Sequence, residues 1–230
     1  MTHPDFAVTD VHTLQHRDLR FLLEHFPEPG HSYEEIAVLI GEFPTTLESM
    51  LDSEFVSREI LESRELLLDI SPFLLFNVLL RQVLGRQRSP VDRRVIHYIA
   101  NLLSLFVNND RVHRIQAHDP RHHEYLVGMI DEAARAEPRR QFLIYAHIGN
   151  YALYLTGVFP RWIEHRHRFK RRPVDTAYYL DFGRVYFERA ASHPLAREYR
   201  LGEVFLRLAL LFDQYREALN RMAQQYLPTS

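Results

Sequence analysis

The chain has 230 residues, of which 46% are hydrophobic and 25% charged, and its formal net charge is -2. This composition is that of a folded globular protein and excludes an intrinsically disordered chain. The chain contains no cysteine, which excludes disulfide bonds, thiolate metal sites, iron–sulfur clusters and a cysteine nucleophile.

The charges divide unevenly along the chain. Residues 1–70 hold 15 acidic and 4 basic residues, whereas residues 71–230 hold 15 acidic and 24 basic residues. We therefore predict an acidic N-terminal helical subdomain at 1–70 and a main helical bundle at 71–230, with a single domain as the alternative. Every basic residue except Lys170 is arginine, which we attribute mainly to coding bias.

The start of the chain and its most apolar segment bear on location. Residues 1–20 carry charged and histidine side chains throughout and no apolar core of a signal peptide, so we expect a cytoplasmic protein. The apolar segment Phe142–Phe159 is interrupted by His147, Gly149 and Asn150. We predict that it is a buried helix of the core and not a membrane span.

Local signals mark several helix starts along the chain. Ser32 and Glu35 have the spacing of a capping box. Ser71-Pro72 and Ser89-Pro90 place a capping hydroxyl before a proline, whose missing N–H is not needed at the first helical position. Asp119-Pro120 repeats this pattern with a carboxylate. Each pair predicts that a helix begins there.

Apolar residues recur at helical spacing in three segments, which we predict to be amphipathic helices: 89–108, 125–133 and Gly202–Tyr226. Two other segments, 72–84 and 140–158, are apolar around the whole circumference of a helix. No segment alternates apolar and polar residues as a half-buried strand does. The sequence therefore predicts an all-α, multi-helix bundle of roughly 8 to 10 helices around two apolar central helices, with a long amphipathic C-terminal helix.

Polar side chains interrupt the apolar helices. A buried polar group without a partner costs roughly 1 to 3 kcal/mol, so such groups tend to meet one another. We interpret them mainly as a hydrogen-bonded network that fixes helix register. The alternative is an interhelical pocket for a metal, a haem or a small ligand, with His97 and His147 as weak metal-ligand candidates. The candidate pocket residues are Asn77, His97, Asn101, His147, Asn150 and Tyr151.

Histidines are frequent, with 14 in the chain. His12/His16 and His118/His122 have the spacing that points two imidazoles in one direction on a helix, as zinc sites require. Neither pair lies in a metalloprotease or di-iron motif. We therefore predict that these histidines, together with the adjacent His123, are exposed to solvent.

A basic run interleaved with aromatic residues follows Pro160. Such a run can contact phosphates and stack on bases, or it can dock on an acidic protein surface, either residues 33–69 of this chain or a partner. A solvated surface is the default interpretation, and nucleic acid is not favoured. The candidate basic binding surface consists of Arg161, Arg166, Arg168, Lys170, Arg171 and Arg172.

The segment from Arg140 to His147 resembles the Arg-x(4-6)-His helix motif of HEPN-type ribonucleases, which are all-helical proteins. The likeness covers eight residues, and Gln141 stands where the family usually has Asn, Asp or His. The resemblance implies ribonuclease activity that uses Arg140 and His147.

No motif of a nucleotide-binding fold or an α/β-hydrolase is present. We therefore expect a helical protein-binding, regulatory or assembly protein that acts on a protein partner or by self-association. A helical-bundle enzyme or sensor with a histidine-containing pocket is the first alternative, and a HEPN-like ribonuclease is the second. The sequence leaves open whether the chain is an enzyme, and it identifies no cofactor.

Overall fold

A computed structural model describes residues 3–25, 44–62, 69–85, 89–164 and 175–227. All regular structure in these ranges is helical, and they contain no strand, which confirms the predicted all-α class. A 3-10 turn at Val11–Thr13 precedes twelve α-helices that lie wholly within the ranges. They are α1 (His16–His25), α2 (Pro44–Leu51), α3 (Glu54–Glu62), α4 (Pro72–Leu84), α5 (Pro90–Phe106), α6 (Asn109–Val112), α7 (Leu126–Ala133), α8 (Pro138–Val158), α9 (Thr176–Ser192), α10 (Pro194–Glu198), α11 (Gly202–Leu210) and α12 (Phe212–Tyr226).

Two of the predicted helix starts are confirmed by their caps. The side-chain oxygen of Ser71 accepts a hydrogen bond from the N–H of Leu74 at 3.1 Å, which caps α4. At α5, the hydroxyl oxygen of Ser89 accepts from the N–H of Asp92, whose carboxylate accepts from the N–H of Ser89. These bonds satisfy N–H groups that the first turn of a helix leaves without partners.

Helix α8 lies at the centre of the C-terminal part of the chain. It packs against α7, α9 and α12, and between Phe142 and Gly157 only Tyr145 and Tyr154 are not fully buried. A Cβ at position 149 would lie 2.7 Å from the ring of Phe187 on α9. Glycine at this position therefore lets the two helices approach closely.

The other apolar segment forms α4, which packs against α5. Helix α5 also contacts α11, and α12 contacts both α4 and α8. The segments predicted to be central are thus two helices that share α12 as a neighbour.

The predicted single C-terminal helix from Gly202 to Tyr226 is wrong, because the helix breaks at Leu211. The backbone of Leu211 has φ -114° and ψ 29°, which separates α11 from α12. Phe212, the first residue of α12, is buried with its ring 6.2 Å from that of Phe187. The apolar stripe continues across the break, so its spacing gives no sign of the turn.

The predicted helix start at Asp119-Pro120 is also wrong. Residues 113–125 contain no helix. The carboxylate of Asp119 accepts hydrogen bonds from the N–H of Gln116 at 2.8 Å and from Arg140 on α8 at 2.7 Å. Asp119 does accept a backbone N–H, as a capping residue does, but the N–H belongs to a loop. Its carboxylate also pairs with Arg140, 21 residues further along the chain.

Residues before position 70 contribute to the same buried cluster as the rest of the chain. Phe6 and Met50 are buried in it together with Tyr98 of α5. The buried carboxylate of Asp18 on α1 accepts a hydrogen bond from the N–H of Ser71 at 2.7 Å. The division at residue 70 stays a prediction, and the capping box at 32–35 lies outside the described residues.

Across the described ranges, no helix combines the length and the apolar character that a membrane crossing requires. Helix α8, which covers the most apolar segment of the sequence, is packed among other helices.

Candidate functional site

The six candidate pocket residues are all buried. Their exposed fractions are small: Asn77 0%, His97 1%, Asn101 7%, His147 1%, Asn150 1% and Tyr151 0%. The sequence analysis treated these polar side chains as buried, and each of the six is buried. Their partners decide whether they form one site.

On α5, the two polar residues bind partners from the N-terminal part of the chain. Nε2 of His97 lies 2.7 Å from Oε1 of Glu48 on α2. The side-chain amide of Asn101 donates to the carbonyl oxygen of Asp5 at 2.9 Å. On α4, Asn77 donates to the carbonyl oxygen of Phe73 in its own helix. None of these hydrogen bonds joins two of the candidate pocket residues.

On α8, the polar residues bind three further partners. Nε2 of His147 lies 3.1 Å from the carbonyl oxygen of Val112. The hydroxyl of Tyr98 donates to Asn150 at 2.8 Å, which links α5 to α8. The hydroxyl of Tyr151 faces the carbonyl oxygen of Glu124 at 3.4 Å. The structure thus brings only the rings of His147 and Tyr151 near each other, at 6.5 Å between centroids.

Burial controls the protonation of the buried groups on α8 and α5. It holds the pKa of His147 well below its ordinary value, and the nearby Arg111 adds to this effect. It also raises the pKa of Tyr98 far above its ordinary value. His147 is therefore neutral at pH 7, and its Nε2–H donates to Val112.

A charged network on α2 and α4 was not predicted from the sequence. Arg81 is 2% exposed, and its guanidinium lies 2.6 Å from Glu48 and 2.9 Å from Asp52. Glu48 also pairs with His97. Despite burial, which alone would raise it, the hydrogen bond from His97 and the charge of Arg81 lower the pKa of Glu48 to about 2. The available signal was Arg81 itself, the single charged residue of α4.

Arg140 and His147 do not face a common cleft. Arg140 lies on the first turns of α8 and donates to Glu132 at 2.8 Å and to Asp119 at 2.7 Å. His147 lies two turns further along, sealed against the ring of Phe106. A substrate bound at Arg140 would not reach this imidazole.

The predicted exposure of the other histidines is correct for four of them and wrong for one. His12, His16, His118 and His122 are exposed, as predicted. The prediction for His123 is wrong, because this side chain is 5% exposed and lies 3.0 Å from the carboxylate of Glu132. Among the described residues, no group of three or more histidines and carboxylates could hold a metal ion.

The basic run lies mostly outside the described residues. Arg161 is described and exposed, and the neighbouring Trp162 is 40% exposed. Arg166, Arg168, Lys170, Arg171 and Arg172 are not described, so a basic binding surface stays a prediction.

Comparison of the chain with known protein families, with curated proteins and with solved structures gives no match in any of the three.

Proposed function

We propose that this chain is a helical protein-binding protein whose contact surface is an apolar end of the molecule. The observation that carries the proposal is the exposure of large apolar side chains at this end: Val107 is 65% exposed, Phe159 45% and Trp162 40%. Apolar side chains that cluster on a surface are typical of protein–protein contacts.

Ring contacts of Tyr154 connect the end of α5 to Phe159, and Val107 and Trp162 follow these residues along the chain. Tyr154 of α8 packs against Phe106, the last residue of α5, at 5.0 Å and against Phe159 at 5.4 Å. Val107 directly follows Phe106, and the N–H of Trp162 donates to the carbonyl oxygen of Phe159. We call Val107, Tyr154, Phe159 and Trp162 the apolar end.

The partner we propose is a second copy of the chain. The exposed Arg161 adjoins the apolar end, and residues 165–172 of the sequence add five more basic residues. The complementary charge is present in the same chain, because residues 1–70 hold 15 acidic and only 4 basic residues. Opposite charges on two surfaces steer association and set its specificity.

Sedimentation equilibrium over a range of concentrations tests this proposal. We expect the average mass of the protein to rise with concentration at low salt and to fall when salt screens the charges. Val107→Glu places a negative charge opposite the acidic surface of the second copy and buries a carboxylate in the contact, so this variant should be a monomer. Val185→Glu on α9 is the matched control, since Val185 is 42% exposed elsewhere, and it should associate as the unmodified chain does.

A chain that stays monomeric at low salt up to about 0.5 mM would refute self-association, because a dissociation constant above this concentration corresponds to less than about 4.5 kcal/mol of binding free energy. Equal effects of the two glutamate variants would show that the apolar end is not the contact surface.

The two enzyme alternatives gain no support from the geometry. Both require His97 or His147 to reach a ligand, and each imidazole is about 1% exposed with a partner inside the protein. We therefore do not propose a histidine pocket or a HEPN-like ribonuclease.

A further inference from the structure

A groove along α7 has none of the four residues of the apolar end and none of the six buried candidate residues in its lining. Two depressions of about 390 and about 650 Å³ meet at Gly128. The smaller one is lined by His123 and Val127, and the larger one extends past Asp131 to the start of α8. Each has the size of a site that holds a small ligand or a short peptide segment.

His123, a residue that is 5% exposed, provides a hydrogen-bond acceptor in this groove. Its Nε2 lies 3.0 Å from the carboxylate of Glu132, without the angle of a hydrogen bond. A carboxylate at this distance favours a proton on Nε2 and leaves the lone pair on Nδ1. Burial lowers the pKa of His123 against the opposing effect of Glu132, so the ring is neutral at pH 7.

Gly128 leaves this acceptor uncovered. Nδ1 of His123 is the atom nearest to the position that a Cβ of residue 128 would occupy, at 3.5 Å. This is an ordinary van der Waals distance, so a Cβ would fit there without displacing the ring. It would also cover the lone pair, and glycine is therefore the residue that keeps Nδ1 accessible.

The strongest charges near His123 are already paired. Arg140 donates to Asp119 and to Glu132, and Arg121 lies 3.2 Å from Glu132. These two guanidinium groups and two carboxylates neutralise one another. They hold the groove wall in place and leave little net charge for a ligand.

The unpaired charges of the groove are mainly acidic. In the described parts of the chain, no ion pair engages the lining carboxylates Glu124, Asp131 and Glu137. Arg135 is the one unpaired guanidinium in the same lining. A ligand therefore meets an excess of negative charge and a neutral imidazole that accepts a hydrogen bond, which favours a cation.

We propose that this groove binds a basic peptide segment of a partner protein. One arginine or lysine side chain donates to Nδ1 of His123 while its aliphatic stem packs on Val127, which is 57% exposed. A second basic side chain is balanced by Asp131 and Glu137. Because the groove is separate from the apolar end, this surface goes beyond the proposed self-association.

Gly128→Ala is the sharpest test, with Gly202→Ala as the matched control. The probe is a blocked peptide with two arginines, and binding is followed by NMR at the amide of residue 128 and the ring of His123. We expect saturable shifts in the unmodified chain and an affinity about tenfold lower in Gly128→Ala, because the acceptor is covered. Since alanine favours a helix, Gly128→Ala should unfold at a higher temperature than the unmodified chain, so lost binding cannot be lost folding.

The charge of the site is tested with two further variants and a second peptide. Asp131→Asn combined with Glu137→Gln should weaken binding, whereas Glu188→Gln on the exposed face of α9 should not. The same peptide with glutamates in place of arginines should not bind. Equal binding of the two peptides, unchanged affinity in Gly128→Ala, or no shift at residue 128 in about 10 mM peptide would each overturn the proposal.

Discussion

Glu48→Gln should destabilise the protein strongly, because Glu48 joins α2 to both α4 and α5. Its two oxygens lie 2.6 Å from Arg81 and 2.7 Å from His97. A carboxyl pKa that falls from 4.5 to about 2 on folding corresponds to roughly 3 kcal/mol in favour of the ionised folded state. The side chain keeps 15% of its exposure, so we expect a loss of about 2 to 3 kcal/mol at pH 7.

The pH dependence of this loss identifies its cause. The folded state lowers the pKa of Glu48, so the contribution is complete above pH 4.5 and disappears as the pH falls from 4.5 towards about 2. Urea denaturation of both proteins at several pH values between 7 and 3.5 measures the difference. We expect a constant gap down to about pH 5 and a smaller gap below it.

Glu203→Gln is the matched control for this prediction. Glu203 also pairs with an arginine, Arg94, at 3.1 Å, but its side chain is 71% exposed. Its replacement should cost about 0.5 kcal/mol or less. The reasoning fails if Glu48→Gln costs no more than the control, or if its cost is the same at pH 7 and pH 3.5.

Three further substitutions test the packing and the buried polar groups, each by urea denaturation. Gly149→Ala places a Cβ 2.7 Å from the ring of Phe187 and should cost about 2 kcal/mol, whereas Gly202→Ala, with its nearest atom at 3.8 Å, should be neutral; equal costs would contradict the close helix contact. Asp18→Asn removes a fully buried acceptor of backbone N–H groups and should cost about 2 kcal/mol, and a neutral outcome would mean that Asp18 does not anchor α1. Because burial lowers the pKa of His147, the unfolded chain takes up the proton first, and stability falls by up to about 1.4 kcal/mol per pH unit below pH 6.5. His147→Gln should reduce that slope, and an unchanged slope would assign the proton uptake to other groups.

Local signals in the sequence were sufficient for α4, α5, α7 and α8, whereas α9, with 17 residues, was not predicted. The caps at Ser71 and Ser89 depend on residues only three positions apart, and the apolar stripes depend on one helix face. The break at Leu211 could not be predicted in this way. It depends on where Phe212 finds space beside α9, which is a property of the packed chain.

The partners of the buried polar residues could not be predicted, because they lie far away in the sequence. His97 binds Glu48 at a separation of 49 residues, and Asn101 binds Asp5 at a separation of 96. The rule that buried polar groups need partners was correct for these residues. The expectation that the buried polar side chains would bind one another was not supported. The partners of His97 and Asn101 are instead a carboxylate and a backbone carbonyl oxygen from the N-terminal part of the chain.

The two proposed surfaces have no residue in common, and the larger depression of the groove lies at the opposite end of α8 from Phe159. Glu137 precedes the helix at the groove, and Phe159 follows it at the apolar end. A helix of 21 residues is about 30 Å long, but the smaller depression comes closer to the apolar end, because Glu124 in its lining accepts a hydrogen bond from Tyr151, three residues before Tyr154. Coupling over this distance requires an element with two arrangements, whereas the middle of α8 is closed by buried contacts on several sides. We therefore expect Val107→Glu to leave the affinity for the arginine peptide unchanged and Gly128→Ala to leave self-association unchanged. A change of more than about threefold in either cross-measurement would show that α8 transmits binding from one end to the other.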